Sequence, residues 1–527
     1  MAGAVATAVL TFVVVAVITR GLSKLDAGVV FTATSLFFLV ESLARLGADV
    51  GIVHHLSGAM ARGRQRAATD VLLASLIPVA VGATLAGAAM IALTVPVEHL
   101  VTGSHGTGHS FAIVVVLAVT MPFAATYDVM TAATRALGSA RPTVAVERLL
   151  RPIVQLVAVG LALALGSGAA VVVAAWTLPY LPCFAVMAVW LSRIMRHHGV
   201  PSWSPQWRSV LGPVWRFTGP RAAASVLQSA LQRLDIVLVG ALVNLPAAAV
   251  YTGATRFVVV GQLGNQAVGY STQPQLRRLL VKEERAAAFA LFQASTTWVI
   301  AVTWPLYLTV IALAPLLLRI FGSHYSGGET TAITVTAAML VAAACGLVDI
   351  ALLTVGKSIW NLANVAVGLV VNVAIDVILL PRIGIEGAAI GWATAILLCN
   401  LVPLWQVHHK SGLHPASLPW LRTMVYALVC FLALPMIGRA LEPRHWIGGV
   451  VGVVVGSVLY LALMWRSRAS LGLDRTVASR RRAGRRRAVP VKRGRHSAHS
   501  TTHSSAYSTT QPSAPPSAGT KDQPQAP

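Results

Sequence analysis

GLVVNVAIDVILLPRIGIEGAAIGWATAIL, residues 368–397, is a long apolar helix, a short hinge and a second apolar helix. The hinge is Pro381-Arg382-Ile383-Gly384, and the second helix opens on Glu386-Gly387-Ala388-Ala389. The first helix carries Asn372 and Asp376 one turn apart. An Asn and an Asp in a membrane span are costly unless they face a protein interior or a water-filled cavity. The hairpin therefore predicts membrane helices arranged around a polar interior.

The rest of the chain agrees. Of its 527 residues, 56% are hydrophobic and only 11% charged, and its mean hydropathy is +0.71. A soluble globular domain carries about 25% charged residues. Apolar stretches of about 20 residues, each enough to cross a bilayer as a helix, recur from end to end. A membrane β-barrel would need alternating polar and apolar residues, and Phe111–Val119 and Val450–Leu463 do not alternate. The fold class expected is an all-α polytopic membrane protein. The N-terminus is apolar from Ala2 to Ile18, with no basic segment or small-residue cleavage site before Arg20, and reads as the first span rather than a signal peptide. Cys183, Cys345, Cys399 and Cys430 all lie in apolar spans without CxxC spacing and read as small buried hydrophobes.

About 14 spans are predicted: 3–19, 28–49, 71–94, 111–134, 147–166, 169–191, 213–243, 247–271, 287–320, 331–355, 359–380, 386–407, 418–438 and 445–465. With a cytoplasmic N-terminus, the inner loops gather Arg62, Arg64, Arg66, Arg135, Arg141, Arg193, Arg196, Arg208, Arg277, Arg278, Lys282, Arg285, Lys357 and Lys410. The outer loops hold Arg20, Lys24, Arg382, Arg439 and Arg444. That asymmetry follows the positive-inside rule and predicts both termini in the cytoplasm. Sliding the chain by 220 residues sets AVITRGLSKLDAGVVFTATSLF (16–37) beside IVLVGALVNLPAAAVYTGATRF (236–257), with Val17, Leu22, Leu25, Ala27, Val30, Thr32 and Phe37 identical. Spans 1 and 2 then meet spans 7 and 8 in the same orientation, which implies two parallel six-helix lobes with a site between them.

The expected organisation is an N-terminal lobe (1–192), a cytoplasmic loop (193–212), a C-terminal lobe (213–410), two additional spans (411–466) and a cytoplasmic tail (467–527). Arg466 to Arg495 is densely basic and accounts for much of the net charge of +24. Beside a membrane, such a run anchors topology and attracts anionic lipid; no nucleic-acid partner is expected. Residues 496–527 are rich in Ser, Thr, Pro and Gln and predict disorder.

Catalytic motifs are missing, and there is no GxxxxGK[ST]. The histidines of GSHGTGH (103–109) lack an acidic or Cys partner nearby, so neither a catalytic nor a metal site is expected. The informative residues are polar groups within or at the ends of spans. Glu41, Arg45 and Asp49 share one face of span 2. Span 7 carries Arg221, Gln228, Gln232, Arg233 and Asp235; span 8 carries Arg256, Gln262, Asn265 and Gln266. Span 10 holds Asp349, and span 11 holds Asn361, Asn364, Asn372 and Asp376. Intramembrane charges commonly pair with one another, which here would mean Glu41 with Arg45, or Arg233 with an acid on a neighbouring helix. The alternative is a cationic cavity holding an anion, since the guanidinium fork binds phosphate oxygens bidentately. Arg256 and Arg45 are the first candidates, with Arg233, Arg221 and Arg20 after them. Asp235, Asp349, Asn372, Asp376, Asn265 and Glu41 are candidates for polar lining or for coupling to H⁺ or Na⁺.

Four stretches resemble the MOP superfamily of flippases and exporters, and more narrowly its Wzx-like polysaccharide-export branch. They are TRGLSKLDAGVVFTATSLFFLVESLARLGADVGIVHHL (19–56), RALGSARPTVAVERLLRPIVQL (135–156), LQRLDIVLVGALVNLPAAAVYTGATRFVVVGQL (231–263) and the opening hairpin. The resemblance implies two lobes forming a V, alternating access, and transfer of a polyprenyl-(pyro)phosphate-linked saccharide across a bacterial cytoplasmic membrane. It implies a monomer working beside the glycosyltransferases and polymerase of a cell-envelope pathway, with no cofactor. Related lipid II flippases use a cavity arginine in the eighth span after a Tyr, which Arg256 after Tyr251 resembles. Their Arg-Asp pair in span 1 has no match here, because Arg20 is followed by Gly21; that argues against a peptidoglycan precursor. The alternatives are an ion-coupled multidrug antiporter of the same superfamily, which would favour acidic cavity residues, and a membrane scaffold.

Overall fold

The computed structural model describes residues 2–93, 110–354, 358–442 and 446–468. The histidine loop at 103–109, Lys357, Arg444 and the tail from 469 onward lie outside the described residues. All regular structure among the described residues is helical, as a bilayer demands of a chain that must satisfy its backbone polar groups internally.

The first half comprises α1 (Ala2–Gly21), α2 (Lys24–Arg45), α3 (Ala48–Ala61), α4 (Gln65–Ala92), α5 (Ser110–Ala136), α6 (Arg151–Ala164), α7 (Ala169–Thr177) and α8 (Tyr180–His197). The second comprises α9 (Leu211–Leu242), α10 (Leu245–Val281), α11 (Arg285–Leu318), α12 (Glu329–Cys345), α13 (Val348–Thr354), α14 (Ser358–Ile383) and α15 (Ile385–Ser411). Then come α16 (Leu418–Leu428), α17 (Leu434–Leu441) and α18 (Ile447–Arg466). Eleven helical segments are long and apolar enough to cross a membrane, with a shorter apolar helix at Val5–Gly21. The architecture is two parallel six-helix lobes followed by two C-terminal crossings, compatible with about 14 passes.

Several crossings are broken, and the breaks have local causes. Between α2 and α3, Leu46 (φ 46°) and Gly47 (φ 67°) both adopt the left-handed region. For a leucine that conformation is strained. Between α7 and α8 the chain turns at Leu178 and Pro179, whose ring removes a helical donor. A π-helical turn, Thr143–Leu150, runs directly into α6. It starts the fifth crossing earlier than hydropathy suggests and carries Arg148 and Arg151 further into the helix.

The lobes meet along α2, which packs on α9 and α10, while α1 packs on α10 and the short connection after α11. A Cβ on Gly28 would collide with the backbone of Leu245; the missing side chain allows α2 to approach the start of α10. At the same end, Arg20 donates from Nε to the Ile320 carbonyl (2.7 Å), and Phe12, Phe257 and Phe321 cluster at centroid separations of 5.3–5.8 Å. Midway, Ser42 donates to Ser229 across the two lobes (2.9 Å). At the opposite end, Trp215 donates to the Ala74 carbonyl (3.0 Å), and the Phe217 ring stacks on His54.

Candidate functional site

Between the halves lies a cavity of about 260 Å³ whose charged lining is Arg151 from α6, Arg233 from α9 and Arg256 from α10. Thr11, Thr34, Gln155, Phe31, Phe38 and Trp176 contribute to its wall. An adjoining cavity of about 100 Å³ shares Arg233 and Arg256 and adds Gln232, Asp235, Tyr251, Thr255, Gln262 and Trp392. Arg233 and Arg256 therefore stand between the inter-lobe cavity and a smaller one lined by the second half alone.

Their partners differ. Arg151 donates to the Tyr180 hydroxyl and lies 5.0 Å from the centroid of that ring. Arg233 rests 4.5 Å from the centroid of Phe38, on the other lobe, a contact worth about 0.5–2 kcal/mol. Arg256 has a buried Nε without a hydrogen-bond partner. Among the described residues, none of the three makes an ion pair. The charged lining of the larger cavity is therefore wholly cationic, with no direct ion pair among the described residues to offset it. Phosphate oxygens match both their charge and their planar donor geometry.

Beside them, α9, α10 and α14 build an acidic cluster, of which Asp235 and Tyr251 line the smaller cavity. Tyr251 donates from Oη to Asp235 Oδ2 (2.9 Å), and Asn372 donates from Nδ2 to Asp376 Oδ2 (3.1 Å). The helices that carry Asp235 and Asp376, α9 and α14, pack against each other. Asp235, Asn372 and Asp376 are all buried, and no Lys or Arg among the described residues pairs with either acid. Gly391 on α15 leaves the space they occupy, since a Cβ there would collide with Asp376 Oδ1. If ionised, these two buried carboxyl groups would carry a negative charge that no Lys or Arg among the described residues offsets by an ion pair.

The structure thus brings together Arg233 and Arg256 in one constellation and Asp235, Asn372 and Asp376 in another. It places the remaining candidates elsewhere. Arg45 was expected in the cationic cavity, but its Nε lies 2.8 Å from Glu41 Oε1 and its Nη1 lies 2.9 Å from Asp128 Oδ2. It lines neither chamber, because two acids already occupy its fork. Glu41 is correspondingly buried in that ion pair. Arg20 is exposed at the C-terminal end of α1 and bonds the Ile320 carbonyl. Asn265 and Asp349 are exposed on the surface of the chain. The Arg221 side chain lies outside the described residues.

Arg151, Asp128, Tyr180 and Trp176 are the residues that sequence reasoning passed over. For Arg151 a signal existed: ERLLRP puts it at least one turn inside the predicted fifth span. A third cavity, about 190 Å³, opens between α1, the π-helical turn and α10, and is lined by Arg148, Gln266 and Tyr270 among others.

No protein-family model matches this sequence, and comparison with curated proteins gives no match. Solved structures do match. The lipid II flippase MurJ, in an inward closed conformation, superposes with a TM-score of 0.69 at 13% identity, over 88% of this chain and 97% of that one. An inward-facing multidrug resistance MATE family transporter of the MOP superfamily gives 0.60 at 16% identity, over 77% and 94%. A MOP superfamily transporter from Pyrococcus furiosus, described with a binding pocket of reversed polarity, gives 0.52 at 15% identity, over 78% and 95%. The chain is a polytopic helical membrane protein with the fold of the MOP superfamily transporters.

Proposed function

We propose that this protein is a flippase that carries a polyprenyl-(pyro)phosphate-linked saccharide across the cytoplasmic membrane by alternating access. The observation that carries the reading is the set of arginines without ion-pair partners, Arg151 from one lobe and Arg233 and Arg256 from the other, around one inter-lobe cavity. A phosphate bound there would bridge the lobes while the lipid tail stays in the bilayer. Thr11, Thr34, Gln232, Gln155 and Gln262 are placed to hydrogen-bond hydroxyl groups on the attached sugar. Alternating access needs the lobes to separate at one end at a time. The outer end, held by Arg20, Gly28 and the Phe12–Phe257–Phe321 cluster, would open in the outward state.

Asp235, Asn372 and Asp376 are proposed to bind the coupling ion, H⁺ or Na⁺. Basic residues concentrated in alternate loops support cytoplasmic termini, and the basic run after Arg466 would lie against anionic lipid. A multidrug antiporter is the second reading, since a MATE transporter shares the fold. A carrier of organic cations would need acids in its main cavity, whereas here the charged lining of the larger chamber is entirely arginine.

The test is reconstitution in vesicles with a fluorescent polyprenyl-diphosphate saccharide added to one leaflet. The wild type is expected to expose the head group on the other leaflet, and Arg256→Ala to stop it. Wild-type vesicles that move a lipophilic cation but not this lipid would overturn the reading.

A further inference from the structure

Trp176 sits where the anion site alone does not require an aromatic group. It occupies the last turn of α7, immediately before the break at Leu178 and Pro179. Gln155 of α6 donates from Nε2 to the Trp176 carbonyl (2.9 Å), tying that turn to the neighbouring helix. The ring is clamped edge-to-face by Phe38 (5.2 Å, 84°) and Phe37 (6.0 Å, 88°), with Tyr180 at 6.2 Å. Despite these contacts it is only half-buried and lines the arginine cavity. Its indole N–H has no acceptor among the described residues. A tryptophan fixed in orientation by its neighbours yet open to a polar chamber has the form of a binding platform.

The position relative to the arginines gives the platform its ligand. Phe38 contacts Trp176 and also carries the Arg233 guanidinium 4.5 Å from its ring centroid. An anion held by Arg233 is therefore one aromatic ring away from the indole. In a sugar phosphate, the pyranose is bonded directly to the phosphate and falls within that distance.

We propose that Trp176 is the stacking platform for the sugar attached to the phosphate, with the C–H face of the pyranose on the indole and the indole N–H donating to a hydroxyl. Phe38 is a positioning residue for both the indole and Arg233. This inference rests on the reading of the cavity as a head-group site. It adds that selectivity resides in the first sugar, and that the N-lobe reads it.

The experiment titrates the purified full-length protein in nanodiscs with two probes, a polyprenyl diphosphate and the same lipid bearing one hexose. Trp176→Ala is expected to weaken the hexose-bearing lipid about ten-fold or more while leaving the sugar-free lipid within about two-fold. Trp176→Phe, which keeps a ring and loses the N–H, is expected to lose about three-fold on the hexose-bearing lipid alone. Arg256→Ala is expected to weaken both. Equal loss on both probes would assign the ring to the phosphate or the lipid chain and overturn the proposal, as would no loss on either. If Trp176→Ala does not yield folded protein, Trp176→Phe decides by the same comparison. A wild type that binds neither probe refutes the head-group reading itself, and this proposal with it.

Discussion

Arg45 and Arg256 look alike in the sequence, and the structure predicts opposite consequences for removing them. Arg45 bonds Glu41, whose side chain is 3% exposed, and Asp128, whose side chain is 30% exposed. Arg45→Ala leaves the Glu41 carboxylate buried without its cation, a loss of about 3–5 kcal/mol when a buried pair is broken. The half-open Asp128 contact adds little, about 0.2–1 kcal/mol. Arg256 has no such partner, and its Nε is buried and unbonded. Arg256→Ala relieves an unpaired buried charge, so thermal stability should hold or rise. It also removes a charge-assisted contact to an anion, about 1.5–3 kcal/mol, which is roughly 10- to 150-fold in affinity. Two measurements on the same detergent-purified samples separate these effects: a thermal melt and a titration with polyprenyl phosphate. Arg45→Ala should melt several degrees lower and, where folded, bind nearly as the wild type does; Arg256→Ala should melt normally and bind poorly. The reverse pattern would refute the assignment of Arg45 to structure and Arg256 to the anion.

Three other outcomes follow from named contacts. Asp376→Asn and Asp235→Asn should remove the dependence of transport on Na⁺ or pH while sparing head-group affinity within a few fold; transport that stays fully cation-dependent in both variants would remove the acidic cluster from coupling. Gly391→Ala places a methyl group on Asp376 Oδ1 and 3.2 Å from Asn372 Nδ2, so it should cost about 1–3 kcal/mol and impair the same cation dependence, read from melting and flux together. Ser42→Cys with Ser229→Cys, built on an Oγ–Oγ distance of 2.9 Å, should form a disulfide that halts transport under oxidation and restores it on reduction; undiminished flux with the crosslink verified by mass would show that the lobes do not separate at this level.

Helical membrane architecture is legible because hydropathy is a local property, summed over about 20 residues without knowledge of partners. The hairpin at 368–397 shows this, and even its Asn372–Asp376 pair is visible as a one-turn spacing. What remains hidden is which spans touch. The helices of Asp235 and Asp376 meet though far apart in sequence, and no local pattern records that meeting. The Glu41–Arg45 pairing was visible as a one-turn spacing, whereas the second partner of Arg45, Asp128, comes from another helix and was not. Arg151 lay inside the predicted fifth span, but nothing local distinguished a cavity-lining arginine there from a paired one; the π-helical turn at Thr143–Leu150 leads directly into its helix, and its side chain lines the cavity. Trp176 and Phe38 offered no contrast at all, because an aromatic residue in an apolar span reads as packing.

The two constellations stand on the same helices. Arg233 and Asp235 are two residues apart on α9, and Tyr251 and Arg256 are five apart on α10. Tyr251 bonds Asp235 and lines the same small chamber as Arg256. In a low-dielectric interior, charge placed on one site is felt at the other far more than in water. A cation bound between Asp235 and Asp376 cancels negative charge beside the arginines and so strengthens their hold on an anion. By linkage, the anion strengthens the hold on the cation by the same factor. Under the proposed function the two ligands therefore bind in synergy rather than in exchange, and the pair crosses with its charge largely compensated. Under that proposal the arrangement would differ from an antiporter in which cation and cargo compete for one set of acids.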